Sequence, residues 1–379
     1  MEKTTKRLQS LDVLRGFDLF CLVALAPIMY SISRGGAGGE VFRSVTNTLF
    51  QHGQWAGFPV WDLVMPLFMF MAGVSMPFSL GKFREMPNKW PVYGKILKRF
   101  AILWIFGMLS QGDLLELNPD QIYLYSNTLQ SIAVGYLFTA LIFLHTRPKT
   151  QVFVAGGLLL LYWALMQFVS MDGFGGGDYT ADGNLAEGID RAVLGRFRDG
   201  ARIEDGAVVF SRGYRYTWVL SSINFVVTVM TGLFSGYIMR SQNRTENRKT
   251  LLLLGLGAAM VAAGWLWGLQ MPVVKKIWTS SMTLVSSGYC FILMGAFYWW
   301  IDVKGHNKNW DLLKVYGMNS IMAYMLQQII RFTSIGQSLF GGLEQYLGDW
   351  YGVLITLTNV TISFLILYWM YRKKVYLRV

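Results

Sequence analysis

Phe50-Gln51-His52-Gly53-Gln54-Trp55-Ala56-Gly57 runs on through Asp62 into Pro66-Leu67-Phe68-Met69-Phe70-Met71. This passage from a polar loop into an apolar run decides the class of the chain. Such runs of about 20 residues recur along the sequence, and that length crosses the hydrocarbon core of a bilayer. The composition agrees, with 53% hydrophobic and only 15% charged residues, where soluble domains carry roughly 25% charge. The sequence predicts an all-α, polytopic helical membrane protein. A secretory signal peptide is not expected, because the first apolar run is too long and lacks a small-residue cleavage site.

Working outward, ten transmembrane helices are expected, at 11–31, 58–80, 97–112, 128–145, 151–171, 217–239, 250–269, 278–301, 312–333 and 351–371. With the N-terminus inside, 22 of the 34 Lys and Arg residues fall in inside segments or at the inside ends of spans and ten outside, six of those ten in the loop 172–216. The positive-inside rule then places both termini in the cytoplasm and this one long loop outside. The net charge of +12 reflects topology, so no nucleic-acid partner is expected. Residues 1–379 read as a single transmembrane domain in the lipid bilayer. Cys21 and Cys290 lie within apolar runs, which gives neither a disulfide framework nor metal-ligand spacing, and no metal is expected.

Two features of the loops and spans have bland readings. Gly173-Phe174-Gly175-Gly176-Gly177 is not a nucleotide fingerprint, because no βαβ unit surrounds it. Further along, Leu185, Ile189, Ala192 and Val193 share one face of a short amphipathic helix expected from Asn184 to Leu194. Gly232-x-x-x-Gly236 and Gly264-x-x-x-Gly268 permit close helix contact and leave room for a homodimer.

His52 is one of three histidines, and the other two, His145 and His306, lie in short basic loops. An imidazole at the mouth of a membrane helix can carry acid–base or acyl-transfer chemistry near neutral pH. It can equally anchor the helix at the headgroups. Three further polar groupings stand in or beside the spans. Steps of three keep Asp12, Arg15 and Asp18 on one side of the first helix, either as an ion pair of Asp12 with Arg15 or as the polar wall of a cavity. Ser320, Tyr324, Gln327 and Arg331 sit at i, i+4, i+7 and i+11 of the ninth span. That stripe suits a ligand-lined path or interhelical hydrogen bonds. Lys275-Lys276-Ile277-Trp278-Thr279-Ser280-Ser281 enters the eighth span on the side of His52. Its paired lysines suit an anionic group, and Trp278 has the position of an interface aromatic.

Five blocks occur in one order: Arg7-Leu8-Gln9-Ser10-Leu11-Asp12-Val13-Leu14-Arg15-Gly16; His52 with Trp55, Gly57, Asp62 and Pro66; Leu129-Gln130-Ser131-Ile132-Ala133; Lys276 to Ser281; and Gly317-Met318-Asn319-Ser320. In these the chain resembles the transmembrane acyltransferases typified by lysosomal heparan-α-glucosaminide N-acetyltransferase, together with their bacterial relatives. The resemblance implies acetyl transfer from cytosolic acetyl-CoA to the amine of a terminal glucosamine-type amino sugar on the far side of a bacterial inner membrane. It implies that His52 is the catalytic histidine, acting as general base or acetyl carrier, with Asp62 beside it. Asp62 or Asp18 would orient the ring. Taken with the polar groupings, the expected substrate-binding set is Trp55, Asp18, Lys275, Lys276, Trp278, Ser280, Asn319, Tyr324, Gln327 and Arg331. Basic residues at Lys82, Arg84, Lys95, Lys98, Arg99, Arg240 and Arg248 offer cations for the phosphates of CoA.

Two departures bear on the acceptor. Ala26 stands where the lysosomal enzyme carries an asparagine, and Gln327 where it carries a histidine. Two alternatives therefore stay open, a permease for an amino sugar or other small solute and an O-acetyltransferase of a periplasmic glycan. The absence of a visible internal repeat counts against the permease.

Overall fold

The computed structural model describes residues 8–35, 39–111, 122–211, 216–330 and 332–377. They fold almost entirely as helices. Among the described residues, eight helical stretches are long and apolar enough to cross a membrane: Gln9–Arg34, Val60–Ser79, Thr128–His145, Pro148–Phe168, Ser222–Arg240, Glu246–Trp267, Ser280–Val303 and Phe332–Arg372. The chain packs as two compact units, one of Met1–His52, Pro59–Val64 and Ala296–Arg378, the other centred on Met65–Gly295 with Gly53–Phe58.

In the first unit, α1 (Gln9–Phe20) continues through a π-helical turn, Cys21–Leu25, into α2 (Ala26–Arg34). Pro27 has no N–H to offer the carbonyl four residues back, and the turn widens just before it. The carboxylate of Asp302 accepts from the Gln9 and Ser10 N–H groups at 3.3 and 3.2 Å and so caps the start of α1. Helix α1 crosses α12 (Asp311–Met318) at a reciprocal glycine contact. A Cβ on Gly16 would lie 1.7 Å from the Leu313 carbonyl oxygen, and one on Gly317 would lie 2.0 Å from that of Asp12. Two of the recurring sequence blocks therefore meet backbone to backbone.

The expected span 312–333 is not one helix. Asn319, at φ −122° and ψ 42°, breaks it, and α13 (Ser320–Ile329) follows. The chain then turns extended at Ile330, where φ is −102° and ψ 120°, before α14 (Phe332–Phe340). The β-branched pair Ile329-Ile330 favours that exit. The polar stripe is thus shortened to Ser320, Tyr324 and Gln327, and Arg331 lies outside the described residues. Short turns, with α15 at Glu344–Leu347, lead to the terminal helix α16 (Tyr351–Arg372), against which α14 packs.

In the second unit, α4 (Val64–Ser79, entered by a 3₁₀ turn, Val60–Leu63) crosses α9 (Ser222–Arg240) closely. A Cβ on Gly73 or Gly232 would fall 1.9 Å from the partner helix's backbone oxygen. Gly264 of α10 (Glu246–Trp267) likewise lies against Ser281 and Val285 of α11 (Ser280–Phe297). Both small-residue motifs are therefore occupied by contacts within the chain. The expected span 97–112 is the end of α5 (Trp90–Ser110), whose early turns carry Lys95, Lys98 and Arg99, too many charges for an unassisted span. Helix α6 (Thr128–His145) starts in a capping box. Asn127 accepts from the Leu129 N–H at 2.8 Å, and Gln130 accepts from that of Asn127 at 3.1 Å. This explains the Leu129-Gln130-Ser131 block as a helix start. Helix α7 (Pro148–Phe168) and α10 are, with the stretch Phe332–Arg372, the least buried spans, and their exposed residues, Phe153, Leu160, Leu251 and Leu266 among them, suit lipid.

The loop after α7 is folded. Two short hairpins, β1 (Ser170–Met171) with β2 (Phe174–Gly175) and β3 (Ala201–Glu204) with β4 (Ala207–Phe210), flank α8 (Leu185–Leu194). Asn184 caps α8 by accepting from the Glu187 N–H at 2.9 Å, as the expected start requires. The buried face differs from the expected one. Ala192 and Val193 are exposed, while Leu185, Ala186, Glu187, Gly188 and Asp190 point inward. The reason is a set of buried partners. Arg198, fully buried, donates to Glu187 and to the Asp199 carbonyl, and Asp190 accepts the Trp218 and Val219 N–H groups at 2.8 and 2.9 Å. Burial raises the Asp190 carboxyl to about 7, against the lowering influence of those N–H groups and of Arg198.

Candidate functional site

His52 sits just past the C-terminus of α3 (Gly39–Phe50), and Asp62 sits on the 3₁₀ turn that opens α4. The last turn of α3 is fixed from two sides. Tyr30 donates its hydroxyl to the Phe50 carbonyl at 2.7 Å, and the Phe50 ring meets Trp61 edge-on at 5.1 Å. These contacts bring His52 Nδ1 to 2.6 Å from Asp62 Oδ1. The two partners are in unlike surroundings, with the imidazole 50% exposed and the carboxylate 2%. An ionised carboxylate only accepts, so the Nδ1–H faces Asp62 and the lone pair of the ring lies on Nε2. Of the two carboxylates expected to orient the ring, Asp62 is the one in contact with it.

Asp18 is buried on α1, 4% exposed, and its Oδ2 has no hydrogen-bond partner among the described residues. Arg15 and Asp12 are half-buried about one and two turns before it. His145 and His306 are exposed, as expected. His145 meets the Tyr93 hydroxyl at 2.7 Å, and His306 stacks on Trp300 with ring centres 4.2 Å apart.

The segment after His52 is strapped down. Trp55 donates its indole N–H to the Tyr179 carbonyl at 2.9 Å and packs on a core that includes Tyr162, Met271 and Ile277. Gly57, at φ 113°, donates its N–H to Val273 at 2.8 Å, and Ala56 bridges to Val274. Lys276 Nζ donates to the Gln54 carbonyl at 2.8 Å. Lys275 is buried beside it at 5% exposure. Of the paired lysines, Lys276 holds the strap.

Trp278 is not an interface aromatic. It is 1% exposed, with its ring edge-on to Phe225 at 4.9 Å. Its backbone is left-handed, φ 47°, a conformation costly for a bulky side chain. Two residues hold it there. Asn224 Nδ2 donates to the Trp278 carbonyl at 2.8 Å, and the indole N–H donates to Thr228 Oγ1 at 3.1 Å. Ser280, fully buried, donates to the Leu159 carbonyl at 2.8 Å. Neither Asn224 nor Thr228 was apparent from sequence, because a polar residue inside an apolar helix gives no hint of the distant turn it braces.

The ninth-span candidates are similarly engaged. Asn319, fully buried at the break before α13, donates to the Val375 carbonyl at 3.2 Å and accepts the Leu377 N–H at 3.1 Å. Gln327 donates to Ser363 Oγ on α16 at 3.0 Å. Tyr324 remains half-buried on the same face. Among the cations considered for CoA, Arg84 donates to the Thr146 carbonyl and Arg240 to that of Pro77, while Arg99 lies over the Tyr136 ring at 4.0 Å. Lys95 and Lys98 stay exposed. Among the described residues no cluster of three His, Cys, Asp or Glu side chains has the arrangement of a metal site.

What sequence reasoning missed altogether is the polar side of α3. Glu40, Arg43, Ser44, Asn47, Thr48 and Gln51 line a groove there. Their spacing of three and four along 40–51 was the available signal.

Residues 7–174, which contain His52, Asp62 and the α3 groove, match the family model described as heparan-alpha-glucosaminide N-acetyltransferase, catalytic. The chain is 26% identical over 372 residues to heparan-alpha-glucosaminide N-acetyltransferase of Homo sapiens, covering 85% of this chain and 53% of that protein. It is 24% identical over 376 residues to the protein of the same name from Mus musculus, covering 86% and 54%. The chain thus spans about half the length of the curated relatives it matches. These similarities agree with the resemblance read from the sequence blocks, three of which, Arg7 to Gly16, His52 to Pro66 and Leu129 to Ala133, lie within the matched residues.

Proposed function

We propose that the protein is a membrane acetyltransferase that moves an acetyl group from acetyl-CoA, supplied on the cytoplasmic side, to the amine of a glucosamine-type sugar on the opposite side. The observation that carries this reading is the 2.6 Å contact between a half-exposed His52 and a buried Asp62. A carboxylate behind Nδ1 fixes the ring's orientation and tautomer and stabilises the imidazolium that forms when Nε2 takes up a proton. Attack on a thioester requires a neutral amine. His52 Nε2 removes the proton as the N–C bond forms, the C–S bond breaks, and the CoA thiolate leaves and is protonated. In the covalent variant Nε2 attacks the thioester carbon itself, releases CoA, and passes the acetyl group to the amine in a second step. Asp62 serves both routes, because both place positive charge on the ring.

The test is transfer of labelled acetyl from acetyl-CoA by purified protein to a panel of amine- and hydroxyl-terminated sugars. Label on the amine supports this reading. Label only on hydroxyls assigns an O-acetyltransferase. Solute uptake without dependence on CoA assigns a permease. CoA release before acceptor is added selects the acetyl-histidine route.

A further inference from the structure

We propose that the turn after α4 and the start of α5 form a binding site for an anionic glycerophospholipid, with its phosphate among Lys82, Lys95, Lys98 and Arg240 and its acyl chains along α5. The proposal depends on the chain lying in a membrane and not on the acetyl-transfer reading. Three elements of the second unit bring cations to one place. The 3₁₀ turn Gly81–Phe83 supplies Lys82, α5 supplies Lys95, and the end of α9 supplies Arg240. The Nζ atoms of Lys82 and Lys95 lie 5.1 and 4.8 Å from the centre of one ring, that of the buried Phe83. Arg240 packs on the same turn. It donates to the Pro77 carbonyl at 2.5 Å, and a Cβ on Gly81 would fall 2.3 Å from its Nη1. Glycine at 81 is what lets the guanidinium come that near. Lys98 stands one helical turn beyond Lys95.

Like charges gathered in this way repel one another unless a counter-charge joins them. Elsewhere the chain supplies its own. Lys249 meets Glu246 at 2.9 Å, and Lys314 meets Asp311 at 3.9 Å. Among the described residues no carboxylate pairs with Lys82, Lys95, Lys98 or Arg240, and all four are exposed. An anion from outside the chain is the missing partner. The surface beside the cations says what kind of anion. Lys98, Ala101 and Ile105, at i, i+3 and i+7, share one exposed face of α5. Ile105 is 53% exposed, and Leu97, next to Lys98, is 56% exposed. Trp90, 78% exposed at the start of the helix, suits the headgroup level. A soluble phosphate makes no use of this apolar strip. A glycerophospholipid fills both halves, because its phosphate lies where lysine side chains snorkel and its chains begin directly below.

Lipid is titrated into detergent-solubilised full-length protein, and bound lipid is counted by native mass spectrometry. The probes are phosphatidylglycerol and zwitterionic phosphatidylcholine. Glycerophosphoglycerol (the headgroup without chains), inorganic phosphate and CoA serve as soluble competitors. Phosphatidylglycerol is expected to bind in preference to phosphatidylcholine, and none of the three competitors is expected to displace it. Lys82→Gln/Lys95→Gln is expected to weaken its binding about tenfold. Lys98→Gln, which leaves the contacts of Phe83 in place, weakens it by a smaller factor. Lys373→Gln/Lys374→Gln, which removes the same charge from exposed residues near the end of the chain, leaves it unchanged. Equal binding of the two lipids, undiminished binding by the Lys82/Lys95 variant, or an equal loss in the Lys373/Lys374 variant overturns the proposal. Displacement by a soluble competitor overturns the lipid and assigns the cations to a soluble phosphate compound.

Discussion

His52 with Asp62 and Trp278 with Ser280 belong to sequence blocks that look equally functional, yet their polar atoms do opposite work. The imidazole of His52 is half exposed and backed by a buried carboxylate. The indole of Trp278 and the hydroxyl of Ser280 are buried, and each donates to a neighbouring helix. One region is arranged to meet something from outside, and the other to hold a strained turn in place. A recurring block is therefore as easily a brace as a site. The distinction rests on exposure, since the imidazole is half open to the outside and the indole and hydroxyl are not.

Substitutions break that comparison in different currencies. Trp278→Ala should produce the largest effect, and on stability. It removes a fully buried aromatic, a change that typically costs about 3–5 kcal/mol. The expected outcome is a much lower thermal midpoint in detergent, or failure to accumulate folded protein, whatever the acceptor. A Trp278→Ala protein with normal stability but lost binding of the acceptor would move this residue back into the site. Asp62→Asn should act the other way. It keeps the shape of the side chain but presents an amide to Nδ1 that no longer enforces the tautomer or stabilises the imidazolium. The expected loss in turnover is about 10²-fold, measured as label transfer, with little change in thermal midpoint.

Parts of this architecture were legible in the sequence and parts were not, for physical reasons. The span 128–145 and the helix start at Asn184 were legible because caps and apolar runs are local signals. The dyad partner was only narrowed to Asp62 or Asp18, since a turn of chain had to decide which carboxylate met the ring. The break at Asn319 was not legible, because the residues on both sides keep a helical apolar pattern. The break depends instead on a clamp to Val375 and Leu377, more than 50 residues away in sequence. The inward face of α8 was misread for the same kind of reason. The partners that turn Glu187 and Asp190 inward, Arg198, Trp218 and Val219, all lie beyond the helix.

That α8 module sharpens the comparison with a smaller, pH-dependent effect. The fold holds the Asp190 carboxyl at about 7, above the ordinary 3.8. Between those values the folded state binds more protons than the unfolded one, so the contribution of this group to stability falls as pH rises and is level above about 7. Limited proteolysis of the 172–216 loop is expected to be faster at pH 8 than at pH 5.5, and Asp190→Asn is expected to flatten the difference. Faster cleavage at the lower pH would contradict this assignment.

The most direct measurement of the central claim is the rate of acetyl transfer by purified His52→Ala, compared with wild type at equal folded concentration. Loss of the imidazole should reduce transfer by about 10²-fold or more. The thermal midpoint should hold, because the side chain is half exposed at the end of α3. His145→Ala and His306→Ala, exposed and distant in sequence, should transfer normally. A folded His52→Ala protein that acetylates its acceptor at the wild-type rate would contradict the account, since the contact with Asp62 would then be a structural anchor alone.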